Sequence, residues 1–350
     1  MIFVPDTIQL AKLYSHTWRT YSQLADVPLE RIVVRLESIL RDGGVGLVWP
    51  SIRHRAEDYG AVGEMLEHTY QQYLAALEQI EKDIALVVSM LVDAGIEAVL
   101  VKGWALCRLY ELPQVRRPGD IDLIVPTGTM PAAQKIIAEA YNHDFRNGVD
   151  LYDDSTWKSK PSSDYRERLV YRECNGVPVA TLGSTDALRH VCLHFMKHLG
   201  NRVPNTTPYW LCDIGALVEN SEDIDWDRLF SGDPALADRI RLALVLSRDI
   251  VGTDPSRLPA AIAEIRLPDW AIQSVTDLWM NPHQQLGRSA AQAGVPRALV
   301  KRLWPSPLNA ALRCDVPLHT GSPLRYQVEV SARLIGLYAT RVITLGKLGQ

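Results

Sequence analysis

Two aspartates, Asp120 and Asp122, lie one residue apart in an otherwise apolar segment that runs to Val125. Side chains alternate along a β-strand, so both carboxylates would project from the same face of a strand. Such a pair can share a divalent cation, and burying it without a partner would be very costly. The residue types alone leave two interpretations open, a metal site and a solvated strand end.

A second Asp-x-Asp pair, Asp223 and Asp225, is interpreted as structural. It follows a polar stretch between two predicted helices, and Asp225 is a natural N-cap for a helix beginning at Trp226. The first pair differs by its apolar strand and by a glycine turn 17 residues upstream.

That turn, Lys102-Gly103, has the composition of a phosphate-binding turn. Glycine allows a ligand to approach the backbone, a following helix offers free N–H groups, and Lys102 adds a cation. For these two residues alone, a surface lysine beside an ordinary turn glycine is the stronger interpretation.

Asp150 is the candidate third carboxylate, 28 residues after Asp122 in the next apolar segment. It reaches the same site if the two strands are neighbours. The alternative is a turn aspartate like Asp153 and Asp154.

The elements that would position these residues follow from hydrophobic periodicity. Apolar residues three and four positions apart from Val62 to Leu91 predict a long helix that ends at Gly95. We predict strands over 96–101, 120–125 and 148–152, and a helix over about 131–141.

A hairpin over 169–182 is predicted around Asn175-Gly176, with Pro178 placing its second arm at a sheet edge. The remaining chain is predicted to be helical over about 184–200, 208–220, 226–230, 235–251 and 324–348.

The predicted fold class is α+β, with a small mixed sheet embedded in a mainly helical chain. We expect a helical N-terminal segment over 1–94, an α/β core over 95–183 and a helical C-terminal domain over 184–350.

Composition excludes several classes of protein. The 350 residues are 47% hydrophobic, which excludes general disorder, and the net charge of −4 weakly disfavours binding to long nucleic acids. No stretch reaches the about 18 apolar residues of a membrane span, and no signal peptide is predicted. Five scattered cysteines without a Cys-x-x-Cys motif predict reduced thiols in the cytoplasm.

Two segments resemble a known family: the turn Val-Lys-Gly-Trp-Ala-Leu over 101–106, and Arg-Pro-Gly-Asp-Ile-Asp-Leu-Ile over 117–124. A glycine turn, an Asp-x-Asp strand and a later acidic strand resemble the DNA polymerase β-like nucleotidyltransferase superfamily. More narrowly, they resemble the bacterial uncharacterised nucleotidyltransferase family, over roughly residues 60–230. The chain departs from the pattern at Trp104, where many superfamily members have serine, and at Tyr152, where the family often has histidine.

The resemblance implies a polymerase β-like core and two-metal nucleotidyl transfer. Asp120 and Asp122 would hold two Mg²⁺ ions, with Mn²⁺ as an alternative, and Asp150 would complete one metal site and take the acceptor's proton. Lys102, Gly103 and Trp104 would hold the nucleotide, and Arg116 or Arg117 would neutralise the pyrophosphate.

Three histidines, His190, His194 and His198, share one face of a predicted helix. A zinc site is one interpretation, although Phe195 follows His194 where a His-Glu-x-x-His motif would need glutamate. Ordinary core histidines are the more common case. As a functional role we favour contact of His190 and His194 with the nucleotide or acceptor, with Asp213 orienting one ring.

The resemblance therefore implies transfer of NMP from an NTP, with ATP as first choice, to a hydroxyl or phosphate of an unidentified acceptor. A small molecule is the first acceptor class, and the 3′ end of a tRNA is the alternative, as in toxin-like relatives. Two other hypotheses stay open: a non-catalytic nucleotide- or partner-binding protein on a degenerate scaffold, and a phosphotransferase that moves the γ-phosphate. Trp210 and the other scattered tryptophans are predicted to be packing residues.

Overall fold

A computed structural model describes the central part of the chain and short pieces outside it. The described residues are 14, 17–19, 32–33, 36–41, 43–110, 112, 115–116, 119–143, 145–157, 164–201, 209–280, 324–329, 331–333 and 335–336. Arg117 and most of the helix predicted over 324–348 lie outside them.

Five strands form one mixed sheet at the centre of the protein. They are β1 (Val99–Val101), β2 (Ile121–Val125), β3 (Val149–Asp153), β4 (Val170–Cys174) and β5 (Val177–Thr181). Their order across the sheet is β3-β2-β1-β5-β4. The β2–β3 and β1–β5 pairs are parallel, and the β1–β2 and β4–β5 pairs are antiparallel.

Helices precede, interrupt and follow the sheet, which confirms the α+β class. Up to β3 they are α1 (Leu36–Arg41), α2 (Val45–Ile52), α3 (Gly60–Asp93), α4 (Trp104–Cys107) and α5 (Met130–Ala140). After the sheet they are α6 (Ser184–Asn201), α7 (Tyr209–Asn220), α8 (Trp226–Leu229), α9 (Pro234–Leu246), α10 (Ala260–Ala263) and α11 (Asp269–Met280). A short π-helix, Ser247–Val251, extends α9. No helix among the described residues combines the length and apolarity of a membrane span.

The long helix α3 ends as its sequence predicts. Gly95 adopts a φ of +73°, a conformation that glycine adopts without a steric penalty. Its N–H donates to the carbonyl of Val92, and the N–H of Ile96 donates to the carbonyl of Leu91, both at 2.8 Å. These bonds satisfy carbonyls that the helix end would leave free.

The helix beginning at Trp226 is capped at its N-terminus by Asp225, as predicted. The Asp225 carboxylate accepts the N–H of Arg228 at 2.9 Å.

The hairpin is confirmed, but the edge position predicted from Pro178 is wrong. Asn175 and Gly176 have φ values of +49° and +80°, as a tight hairpin turn requires. The edge strand is β4, whereas β5 lies between β4 and β1. Proline is tolerated in β5 because the short β1 pairs only with Ala180 and Thr181, so Pro178 lies beyond the end of β1.

The two faces of the sheet are covered by different elements. Ile84 and Leu91 of α3 pack with Leu100 and Leu123 on one face. Alternation along β2 sends Ile124 to the other face, where it joins a cluster with Val99, Val101 and residues that precede α6. The first half of α3 belongs instead to the core of the C-terminal helices. The domain limits at 94 and 183 stay predictions, since α3 contributes to both cores.

A buried carboxylate fixes the chain just before β3. Asp83 on α3 is 1% exposed and accepts the backbone N–H groups of Arg146 and Asn147 at 3.0 and 2.9 Å. It also accepts the side-chain amides of Asn147 at 2.7 Å and Gln79 at 2.9 Å. Because β3 begins at Val149, this anchor sets where β3 starts along the sheet.

We expect the Asp83→Ala substitution to lower the free energy of unfolding by about 2–4 kcal/mol, because it strands buried donors without a partner. Urea denaturation followed by circular dichroism measures this change. The matched control is Asp93→Ala at the exposed end of the same helix, which should change stability by less than about 0.5 kcal/mol. Equal effects of the two substitutions would contradict the anchoring role.

Candidate active site

The pairing of β2 with β3 brings the three predicted carboxylates together. Asp122 and Asp150 are direct partners in the parallel register, so their side chains share a face of the sheet. Asp120 immediately precedes β2 and projects from that same face. One carboxylate oxygen of each residue lies within 4.8 Å of the others. Asp122 is 1% exposed, while Asp120 and Asp150 are exposed to solvent.

This donor set fits a hard divalent cation. Mg²⁺ binds oxygen ligands at about 2.1 Å, so its opposite ligands lie about 4.2 Å apart. The 4.8 Å spread of the three oxygens is close to that span, and small side-chain rotations would close the difference. Two exposed carboxylates leave room for phosphate oxygens and water, which Mg²⁺ usually keeps as ligands. Among the described residues, these aspartates form the group of three or more candidate ligands that can hold one metal ion.

Lys102 is the cation that contacts this cluster. Its Nζ lies 2.7 Å from Oδ1 of Asp122. The turn makes the contact geometrically accessible, because Lys102 and Gly103 both have positive φ values, +59° and +44°. A Cβ at position 103 would lie 3.3 Å from the carbonyl oxygen of Asp120, so glycine permits a close approach of the turn to β2.

Tyr152 completes the surroundings of Asp122. Its hydroxyl donates to Oδ1 of Asp122 at 3.0 Å. Burial and the charge of Asp122 raise the pKa of Tyr152 well above its usual value, so the phenol stays a neutral donor. Burial also raises the pKa of Asp122 to about 6, against the opposing effect of Lys102. A bound cation would favour the ionised form of Asp122.

The structure places Trp104 in the core rather than in the cleft. Its indole is 1% exposed and donates to Oε1 of Glu81 at 2.8 Å. Any nucleotide contact of Trp104 therefore falls to its backbone. The helix it begins, α4, is a single turn, so the macrodipole expected at Gly103 is small.

Arg116 lines the cleft, but its guanidinium is already paired with a buried carboxylate. Its Nε is 2.6 Å from Oδ1 of Asp213 on α7, and both side chains are buried. The hydroxyl of Tyr110 donates to the same oxygen at 2.9 Å. Asp213 therefore holds Arg116, where the sequence interpretation had it orient a histidine. Through this pair, the loop before β2 is fastened to the C-terminal helices.

A second wall faces the carboxylates across a cleft of about 660 Å³. His190 and His194 of α6, which were favoured as contacts for the nucleotide or acceptor, line it with His198 and with Tyr209 and Trp210 at the start of α7. Burial lowers the pKa of His198 to about 4, and burial and the charge of Lys102 lower that of His194 further. These two rings are therefore neutral near pH 7.

Three residues of this wall were missed as site residues in the sequence: Lys197, Tyr209 and Trp210. Lys197 is exposed at the cleft, one turn beyond His194, and helical spacing from the histidines could have found it. Trp210 was interpreted as packing. Its position depends on how α6 and α7 pack together, and no local pattern reports that.

Residues 41–247 match the model of a family described as "Uncharacterised nucleotidyltransferase". No curated protein matches the sequence. Among solved structures, the chain is similar to an antigenic nucleotidyltransferase-like protein from Paracoccidioides brasiliensis, with 15% sequence identity and a TM-score of 0.37, over 53% of this chain and 92% of that one.

We expect Asp120→Asn and Asp150→Asn each to weaken Mn²⁺ binding by about tenfold or more, since even outer-shell changes cost about 10–100-fold. Lys102→Met should have the opposite sign and strengthen binding of the bare ion, because it removes the cation that competes for Asp122. Titration calorimetry or electron paramagnetic resonance of free Mn²⁺ measures both effects.

Lys135→Met, an exposed lysine on α5, is the matched control for loss of a positive charge and should leave Mn²⁺ binding unchanged. Folded aspartate variants that bind Mn²⁺ as the wild type does would show that the cluster is not a metal site.

Proposed function

Because this chain belongs to the uncharacterised nucleotidyltransferase family, we propose that it is a metal-dependent enzyme that transfers NMP from an NTP to an acceptor. ATP is the first choice of nucleotide, and the acceptor group is a hydroxyl or a phosphate. The observation that carries the proposal is the convergence of Asp120, Asp122 and Asp150 on one edge of the cleft.

In this reaction an acceptor oxygen bonds to the α-phosphorus of the NTP and the bond to the β-phosphate bridging oxygen breaks, which releases pyrophosphate. Two divalent ions held by the aspartates, Mg²⁺ or Mn²⁺, would supply the positive charge that stabilises the attacking and leaving oxygens. Asp120 and Asp122 would bind both ions. The exposed Asp150 on the outer strand β3 accepts the proton of the attacking group.

Lys102 binds the phosphates in this proposal. Its ammonium group contacts Asp122, so it already lies at the catalytic edge of the cleft. Its long side chain can exchange the carboxylate for a phosphate oxygen with little displacement of the backbone. Lys197 supplies a second cation at the cleft, and Arg116 contributes positive potential although Asp213 engages it.

A small-molecule acceptor agrees with the size and charge of the site. The cleft volume of about 660 Å³ lies within the about 300–1,000 Å³ typical of small-molecule sites. The chain has a net charge of −4, which disfavours a long polyanion. Four buried free thiols, Cys107, Cys174, Cys192 and Cys212, agree with a reducing, cytoplasmic location.

The binding test is thermal unfolding with each NTP, with and without Mg²⁺. A nucleotide at 100 times its dissociation constant adds about 2.7 kcal/mol to the stability of the native state. We expect this gain in the wild type, and we expect it to be absent without Mg²⁺ and in an Asp120→Ala/Asp122→Ala double variant. No gain with any nucleotide would contradict the proposal.

The transfer test uses ATP labelled on the α-phosphate, with a small-metabolite fraction and a tRNA fraction as separate acceptor pools. We expect label in the small-molecule pool together with pyrophosphate. With Mg²⁺ at saturating concentration, Asp150→Asn should still bind ATP but lose about 10²–10⁴-fold in rate, as general-base removal does. Release of ADP would indicate phosphoryl transfer instead, and label in the tRNA pool would identify the other acceptor class.

A further inference from the structure

We propose that the wall formed by His194, His198 and Trp210 is a stacking platform for the nucleobase of the NTP, with Trp210 at its centre. The inference rests on the proposed function, and it assigns the second wall of the cleft a ligand of stated chemistry, a flat aromatic heterocycle.

The first support is geometric continuity. The Trp210 ring centroid lies 4.9 Å from that of His194 and 5.0 Å from that of His198. The two imidazoles are 4.4 Å apart, and Tyr209 extends the row with its ring 6.3 Å from Trp210. Rings on two helices thus form one contiguous aromatic cluster, in which the Trp210 plane is inclined by 62° to His194 and by 65° to His198.

The second support is accessibility from the cleft. His194, His198 and Trp210 are each half-buried and line the cleft that holds the carboxylates. The row continues from His194 to His190 at 6.1 Å and from His190 to Trp157 at 4.9 Å. That end is closed, because His190 and Trp157 are only 4% and 7% exposed. The accessible part of the surface is therefore the part centred on Trp210.

The third support is charge. Burial and the neighbouring lysines Lys102 and Lys197 keep His194 and His198 neutral near pH 7. The carboxylate of Asp213 on the same helix as Trp210 is paired with Arg116, which offsets its charge. Uncharged aromatic rings suit an uncharged base, whereas the phosphates would lie with the metal-binding edge and the cations Lys102 and Lys197.

The division of the cleft predicts a test that separates base from phosphates. Inorganic tripolyphosphate with Mg²⁺ carries the phosphate chain without the base. We expect Trp210→Leu to weaken binding of ATP with Mg²⁺ about tenfold, a typical effect of losing one base–aromatic stack. Binding of tripolyphosphate with Mg²⁺ should be unchanged in this variant, and Trp210→Phe should retain most of the ATP affinity.

Trp226 provides the matched control. It is also half-buried, but it stacks on Phe230 at 6.3 Å and lies outside the cleft. Trp226→Leu should leave both affinities unchanged. If Trp210→Leu does not fold, His198→Leu carries the same test, with an expected loss of a few-fold for ATP and none for tripolyphosphate.

Titration calorimetry distinguishes failure of the platform from failure of the enzyme assignment. A wild type that binds tripolyphosphate with Mg²⁺ but binds ATP no more tightly overturns the platform and leaves the proposed function intact. So does a Trp210→Leu variant that retains ATP affinity or loses both affinities equally. A wild type that binds neither ligand overturns both proposals.

Discussion

Repulsion among three carboxylates is the constraint around which this protein is arranged. At about 4 Å, two like unit charges repel by about 4 kcal/mol at an effective dielectric of about 20. The parallel register of β2 and β3 nevertheless places Asp122 directly opposite Asp150, with Asp120 beside them. Lys102 offsets one of these charges, which leaves a formal charge of −2 at the cluster. A divalent cation would carry the charge that completes this balance.

Holding the strands in this register requires support from outside the sheet. Asp83 on α3 binds the backbone immediately before β3, and Arg116 ties the loop before β2 to Asp213 on α7. Both strands that bear the aspartates are thus anchored just upstream of their carboxylates by a buried charged group. Breaking the Arg116–Asp213 pair would leave an unpaired buried charge, and removing Asp83 would leave buried N–H donors without an acceptor; both are unfavourable. The helical parts therefore do more than cover the sheet, because they fix the spacing on which metal binding would depend.

What the sequence could predict depended on whether the signal was local. The end of α3 at Gly95 and the Asn175-Gly176 turn are set by backbone conformations that neighbouring residues dictate, and both are confirmed. Alternation along one strand suffices to place Asp120 and Asp122 on one face, whereas the approach of Asp150 depends on β2 and β3 being neighbours, which the sequence left open. Pro178 misled, because its tolerance depends on the length of β1, a strand far away in the sequence. The positions of Trp104 and Trp210 also depend on tertiary packing. The Trp104 indole is buried against α3, and the Trp210 indole lines the cleft where α6 meets α7.

The contrast between the two walls of the cleft constrains how a nucleotide enters it. A free NTP is a polyanion, and the carboxylate edge with its residual negative charge would repel it. The rings of His194, His198 and Trp210 carry no charge, so attraction of the phosphates on that wall falls to Lys197, and Lys102 is engaged with Asp122. The site as built is therefore complementary to a nucleotide that brings divalent cations with it rather than to the nucleotide alone. In that complex the cations would offset the charge of the aspartates and leave Lys102 free to bind the phosphates, while the base would contact the aromatic wall.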